Sequence, residues 1–214
     1  MKRTLIILLF LIYFFNSNSE SSESSEVRLR LNFKEDFKEY IIKKGDTFSK
    51  IAPPSQWEIL AKINRIDSKH LIPGKKILIP VNEEIAKNFC PVPKRIDSNY
   101  ERYERVIIFF LDTQYFGAYE GGKLIFWGPI SSGRNNSTPK GKFYVQWKSK
   151  NYFSKKYNTA MPYAVNFFRG YFLHEQVLPG HPSSHGCIRL LHEDAKKIFD
   201  WIQKGDPVII TTSH

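Results

Sequence analysis

Apolar and polar positions divide the chain into regimes of different period. Thr4 to Phe15 is a run of 12 residues without a charge, preceded by Lys2 and Arg3. Residues 16–26 hold six serines and three glutamates and no apolar side chain. Over 38–81, short apolar runs alternate with turns. Tyr40-Ile41-Ile42 reads as a strand, Lys44-Gly45-Asp46-Thr47 as a turn, and Thr47–Ala52 as a short helix capped by Asp46. Ser55 and Glu58 have capping-box spacing and start a second helix that runs to about Asn64. Trp57, Leu60, Ala61 and Asn64 stand at i, i+3, i+4 and i+7, and the first three give that helix its apolar face. Leu71-Ile72-Pro73-Gly74 turns the chain into a strand over Lys76–Pro80.

From Tyr103 the pattern becomes that of β structure. Arg105–Leu111, Tyr115–Tyr119 and Lys123–Trp127 read as successive strands, with Gly121-Gly122 as a hairpin turn. Thr138–Val145 is a turn into another strand, and Val208–Thr211 a closing one. Ala195, Ile198, Phe199 and Ile202 share one face of a helix that Gly205 ends. Lys148–Tyr157 reads as a solvated basic and aromatic loop. The elements predict a mainly β domain over 103–212, an antiparallel sandwich or barrel with one flanking helix, and a small βααβ module over 38–81. A Pro-containing connector, 82–102, joins them.

The first 19 residues have the form of a secretory signal: a basic start, an apolar run too short to span a bilayer with ease, and small residues at Ser17 and Ser19. An uncleaved anchor is the alternative. Residues 20–37 then form a flexible tether, because a Ser/Glu segment cannot bury enough surface to order itself. Export changes the meaning of the charge. A net +11 invites a nucleic-acid reading, but outside the cytoplasm the polyanions are wall polymers and lipid head groups. The lysines then read as solvated faces attracted to the envelope.

Export also makes a disulfide an alternative for the two cysteines, Cys90 and Cys187. Their surroundings differ. Cys90 lies in Cys90-Pro91-Val92-Pro93, whereas Cys187 lies in Ser183-Ser184-His185-Gly186-Cys187-Ile188-Arg189. A thiol reacts as thiolate, and a histidine beside it can favour a thiolate–imidazolium pair near neutral pH. His185 is nearest in sequence, but a tight turn at Gly186 points it away. His174 precedes a loop, Leu178-Pro179-Gly180-His181-Pro182, that can fold back on the motif, and is expected to be the base. Backbone N–H groups at Gly186 and Cys187 are natural oxyanion donors. Arg189 either holds a substrate carboxylate or forms an internal salt bridge. A zinc site built from His181, His185, Cys187 and His192 is the competing chemistry, although the spacing matches no common zinc motif.

Residues 38–81 resemble a LysM domain through Tyr40, Gly45-Asp46-Thr47, Ile51-Ala52, Leu60, Asn64, Leu71, Pro73-Gly74 and Ile79-Pro80. The resemblance implies binding to the glycan of the cell wall, with Gly45, Asp46, Thr47 and Asn64 as contacts. Residues 103–212 resemble the L,D-transpeptidase (YkuD-like) catalytic domain. The carriers are Phe172-Leu173-His174, Leu178-Pro179-Gly180, Ser184-His185-Gly186-Cys187-Ile188-Arg189-Leu190, Ser132-Gly133-Arg134, Thr138–Phe143 and Met161-Pro162-Tyr163. This implies that Cys187 is a nucleophile attacking the diaminopimelate–D-alanine bond of a peptidoglycan tetrapeptide. His174 is then the general base, its ring oriented by the carbonyl that follows it. Gly186 contributes oxyanion backbone, His185 support, and Ser184, Arg189 and Tyr163 contact substrate. No cofactor or metal is implied, and the partner is peptidoglycan in the periplasm or envelope. Glu175-Gln176 departs from the glycine and small polar residue of many members. Competing functions are the same thiol chemistry with water or a protein lysine as acceptor, and a non-catalytic LysM wall-binding protein.

Overall fold

The computed structural model describes residues 33–68 and 71–212. The signal segment and residues 20–32 of the expected tether lie outside the described residues. The remainder of that tether is ordered: a short helix α1 (Phe33–Asp36) leads into strand β1 (Phe37–Ile41), with Phe37 buried.

β1 pairs antiparallel with β2 (Lys76–Pro80), and helices α2 (Phe48–Ile51) and α3 (Trp57–Asn64) lie between them in sequence. This is the expected βααβ order, with different caps. Thr47, not Asp46, is the N-cap of α2. Asp46 instead accepts from Tyr40 Oη at 2.8 Å and from the Lys43 amide at 2.7 Å, closing the turn after β1. The Ser55/Glu58 capping box does not form. Proline at the first position favours a helical start, and a 3₁₀ turn over Pro54–Gln56 runs straight into α3, so Ser55 sits inside a turn and Gln56 is the N-cap. Glu58 instead pairs with Lys62, 2.8 Å away. Leu60 and Ala61 are buried with Ile42, Phe48 and Ile77. α3 ends at Arg65, whose left-handed φ of 55° turns the chain toward the second domain.

The connector is packed. It holds α4 (Glu83–Asn88), capped by the Asn82 side chain, and α5 (Ser98–Glu101). Phe89 and Val92 are buried. Phe89 meets Phe37 of β1 edge-on, and also Tyr115 and Trp127 of the larger domain.

The larger domain is mainly β as expected, and of the sandwich and the barrel it is nearer the barrel: one curled nine-stranded sheet. Its strands are β3 (Arg105–Phe110), β4 (Tyr115–Glu120), β5 (Lys123–Ser131), β6 (Gly141–Tyr144), β7 (Trp147–Ser154), β8 (Thr159–Phe168), β9 (Tyr171–Glu175), β10 (Ile188–Leu190) and β11 (Pro207–Thr211). The spatial order is β6-β11-β3-β4-β5-β10-β9-β8-β7. Most neighbours are antiparallel, but β11–β3 and β10–β9 are parallel. Gly121 and Gly122 adopt φ of 50° and 77° at the β4–β5 hairpin, as the turn requires. The flanking helix α6 (His192–Trp201) packs Ala195 and Ile198 into a core with Ile107, Phe109, Ile130 and Leu173. Gly205 lies in the turn beyond its end.

Lys148–Tyr157 is not a loop. β7 takes up Trp147–Ser154 as an edge strand hydrogen-bonded to β8. Trp147 and Tyr152 pack on Phe172, while Lys148 reaches α6 and donates to Phe199 O and Ile202 O, so contacts are made by polar as well as apolar side chains and the apolar periodicity is faint.

Candidate active site: a cysteine and a histidine on adjacent parallel strands

β9 and β10 run parallel, with Arg189 opposite His174 and Ile188 opposite Leu173. Residues paired in this way project to the same side, and residues two apart in a strand do so too. Leu173, Ile188 and Leu190 enter the core under α6. His174, Arg189 and Cys187 therefore take the opposite face, where Cys187 packs on the cluster of Met161, Ala164 and Phe172. His174 and Cys187, thirteen positions apart, come to one face because β9 and β10 are sheet neighbours.

The loop between them is tied down at several points. Ser183 and Ser184 amides donate to Ser132 O at 2.9 and 3.1 Å, and Arg134 N–H donates to Ser184 O at 3.0 Å. Ser184 is buried. Its Oγ donates to Cys187 O at 2.5 Å and accepts from the Gly186 amide at 2.9 Å. Gly186 O accepts from Thr138 Oγ1, which in turn accepts from the Gly133 amide. Gly186 has φ of 129°, and a Cβ there would meet the Tyr171 ring at 2.5 Å and Ser137 O at 2.9 Å. The Gly186 N–H thus faces Ser184 rather than an open substrate site.

His174 is 5% exposed. Its Nδ1 lies 2.8 Å from the Glu175 carbonyl oxygen. A carbonyl only accepts, so Nδ1 carries the proton and Nε2 of the neutral ring is the free acceptor. Burial, with the charge of Arg189 adding to it, pushes the pKa of His174 down to about 4 against the pull of that carbonyl. Burial likewise pushes the Cys187 thiol up, with the Arg189 charge opposing. The resting pair at neutral pH is neutral thiol and neutral imidazole. Burial opposes the thiolate–imidazolium pair that contact between the two groups was expected to favour, because neither group keeps enough water to stabilise its charge.

Arg189 is half-buried and donates from Nη1 to Ser183 Oγ at 2.7 Å. No carboxylate among the described residues pairs with it, so the internal salt bridge is not formed. The side chain of His185 is exposed, stacked on Tyr157 at 4.9 Å with Nε2 3.0 Å from Arg134 Nη2. His181 Nδ1 meets Pro182 O, and His192 Nδ1 meets Glu175 Oε2 at 2.8 Å. The three histidines of the competing zinc site thus have separate partners. Tyr163 packs on His192 and Phe199 of α6, on the face opposite Cys187, and so is not brought to the site. Cys90 and Cys187 are both free thiols.

In the smaller module, Asn64 is a structural clamp. Its Nδ2 donates to Leu60 O and Leu78 O, and its Oδ1 accepts from the Leu78 amide. Gly45 has φ of 84°, and its carbonyl accepts from Lys50 Nζ at 2.8 Å. Thr47 Oγ1 lies 2.8 Å from Ser49 Oγ.

A cysteine and a tautomer-fixed histidine share one face of the curled sheet. Residues 104–210 match the L,D-transpeptidase catalytic domain, YkuD, and residues 40–80 match the LysM domain. The chain belongs to the YkuD L,D-transpeptidase catalytic domain family. It is 33% identical over 112 residues to "Putative L,D-transpeptidase YciB" of Bacillus subtilis (strain 168), a match covering 43% of this chain and 58% of the relative. The fold is similar to the crystal structure of the L,D-transpeptidase (Yku) from Stackebrandtia nassauensis. That match has a TM-score of 0.50 at 28% identity, over 60% of this chain and 63% of the other. The chain thus spans less than two thirds of each.

Proposed function

We propose that the protein is an exported L,D-transpeptidase that remodels peptidoglycan through a thioester on Cys187. The observation that supports this reading is that Cys187 shares a sheet face with a buried His174 on the neighbouring strand, whose Nδ1 is fixed by Glu175 O, leaving Nε2 as an acceptor. As Cys187 Sγ attacks the carbonyl between diaminopimelate and D-alanine, its proton passes to His174 Nε2. Because both groups rest neutral, transfer accompanies attack. The Cys187 N–H is the oxyanion donor in this scheme, and Gly186 provides close backbone approach. Collapse of the tetrahedral intermediate returns the proton to the departing D-alanine amine and leaves the thioester. The side-chain amine of a second stem then attacks, loses a proton through His174, and restores the thiol as the new amide forms.

Among the described residues Arg189 has no carboxylate partner, and it would hold a carboxylate of the donor stem, for which its guanidinium geometry suits it. His185, stacked on Tyr157, supports the outer wall of the site. The LysM match supports glycan binding through the turn at Gly45, Asp46 and Thr47, which raises the local concentration of stems. Asn64 supports that surface from beneath. Export rests on the basic and apolar N-terminal segment. Among the described residues no helix is long and apolar enough to cross a membrane.

The test is incubation with purified muropeptides followed by mass analysis. Cross-linked dimers with release of D-alanine are expected, and Cys187→Ala should form neither thioester nor product. Trimmed monomers alone would assign water as the acceptor. Cross-linking retained by Cys187→Ala would refute the thiol mechanism.

A further inference from the structure

The loop that carries the chain from His174 to Cys187 takes the backbone partners of its middle from the LysM module. Leu178 N–H donates to Asp67 Oδ2 at 2.8 Å, and Asp67 N–H donates to Leu178 O at 3.3 Å. Ile66 and Pro179 form an antiparallel bridge. Lys75 Nζ donates to Pro179 O at 3.1 Å. A Cβ on Gly180 would come within 3.2 Å of Ile66 Cγ2 and 3.5 Å of Asn64 O, so the loop lies close against the segment that ends α3. On either side of this stretch the loop is held by the larger domain: Gln176 N–H by Leu190 O, and His181 O by Ser131 Oγ.

A module that only gathers substrate needs a tether of suitable length and no contact with the catalytic loop. Here the segment after α3 supplies both a donor and an acceptor to Leu178, which is fully buried. Tyr115 Oη also donates to Ile63 O at 2.9 Å, fixing the end of α3 against β4. We propose that the LysM module is part of the catalytic scaffold, and that Asp67 is a positioning residue that holds Leu178 and through it the spacing of His174 and Cys187. This rests on those two being the reacting pair. Removing the Asp67 acceptor leaves the Leu178 N–H buried without a partner, and the loop must shift to reach water.

The test uses the full chain in a Cys90→Ser background, so that Cys187 is the single thiol. Two quantities are measured: the pH midpoint of Cys187 alkylation by iodoacetamide, and kcat and KM on a soluble tetrapeptide lacking glycan. Asp67→Ala is expected to lower kcat about tenfold with KM little changed, since small misplacements act on the chemical step. It should also move the alkylation midpoint down toward that of an ordinary thiol, as the loosened site admits water. Asp67→Asn keeps an acceptor oxygen and should stay close to wild type in both. Lys75→Met, at the periphery, should show a smaller change in the same directions and serves if Asp67→Ala does not fold. An unchanged kcat and midpoint in folded Asp67→Ala, or in Lys75→Met where it does not fold, would overturn the proposal. So would equal losses in Asp67→Ala and Asp67→Asn. Wild-type protein that turns over no peptide, yet shows the midpoint pattern, would defeat the proposed activity and leave the scaffold role standing.

Discussion

His174 Nδ1 lies 2.8 Å from the carbonyl oxygen of Glu175, the next residue along the strand. The backbone itself thus sets the tautomer of the base, and no acidic side chain is required. The consequence is a neutral, weakly basic imidazole whose pKa burial holds near 4.

Replacing His174 with Gln removes the proton acceptor while keeping a polar group in the strand. Thioester formation on Cys187, followed as a mass shift with a tetrapeptide donor, should fall by about 10²- to 10⁴-fold. A variant that acylates at the wild-type rate would show that another group takes the proton.

Two buried groups should oppose each other in the stability–pH profile. His174 has its pKa lowered from 6.5 to about 4, so the unfolded chain takes up the proton first and stability is lost as pH falls from about 6.5 to 4. Asp194 has its pKa raised from 3.8 to about 6, because burial outweighs Lys62 at 3.6 Å and its Oδ2 has no hydrogen-bond partner. Its contribution is present at low pH and lost as pH rises through 6. Each effect is worth about 3 kcal/mol, and they nearly cancel in the wild type. His174→Gln should expose a stability that falls with rising pH between 4 and 6, and Asp194→Asn one that rises. Thermal melts of both variants across that window provide the check, and profiles parallel to wild type would contradict the assignment.

Gly186→Ala should cost about 1–3 kcal/mol from the backbone conformation alone, plus the clash with Tyr171 and Ser137 O. Because Gly186 directly precedes Cys187, acylation should fall by more than the change in melting temperature accounts for. A stable, fully active Gly186→Ala protein would mean that the loop relaxes freely.

Asn64→Ala should act on folding rather than on glycan contact. It removes three hydrogen bonds to Leu60 and Leu78, and each unpartnered buried group costs about 1–3 kcal/mol. Binding to insoluble peptidoglycan at a temperature where the variant is folded should match wild type. Loss of binding without loss of stability would restore Asn64 as a direct ligand.

Local signals located the elements that one segment specifies by itself. The βααβ order, the Gly121-Gly122 hairpin, α6 and the strands β3 to β5 were legible from period and turn residues. The caps of α2 and α3 were not. Asp46 has a better partner in Tyr40, six residues away, and the Pro54 turn displaces the Ser55 cap; both outcomes are tertiary competition for the same groups. β7 was hidden because it is an edge strand with lysines among its aromatic residues, and one of them, Lys148, finds its partners only in the carbonyls at the end of α6. Tyr163 belonged to a motif shared with the family, yet a left-handed φ of 55° and its packing on α6 place it across the sheet from Cys187.

The sequence by itself determined the chemistry on offer: a cysteine preceded by glycine with an arginine two places on, and a histidine thirteen positions before it. It also determined the presence of a small βααβ module before a mainly β domain. The tertiary structure alone decided that β9 and β10 are parallel neighbours, which puts His174 and Cys187 on one face. Sheet order is a matter of which strands bury surface together, and no short segment encodes it. The structure alone also decided the direction of the shifts, since burial pushes the imidazole down and the thiol up. The docking of Asp67 on Leu178 belongs to the same category. It joins residues 111 apart, the Asp67 carboxylate and amide meeting the backbone of Leu178, and a lone aspartate just after a helix announces no such partner.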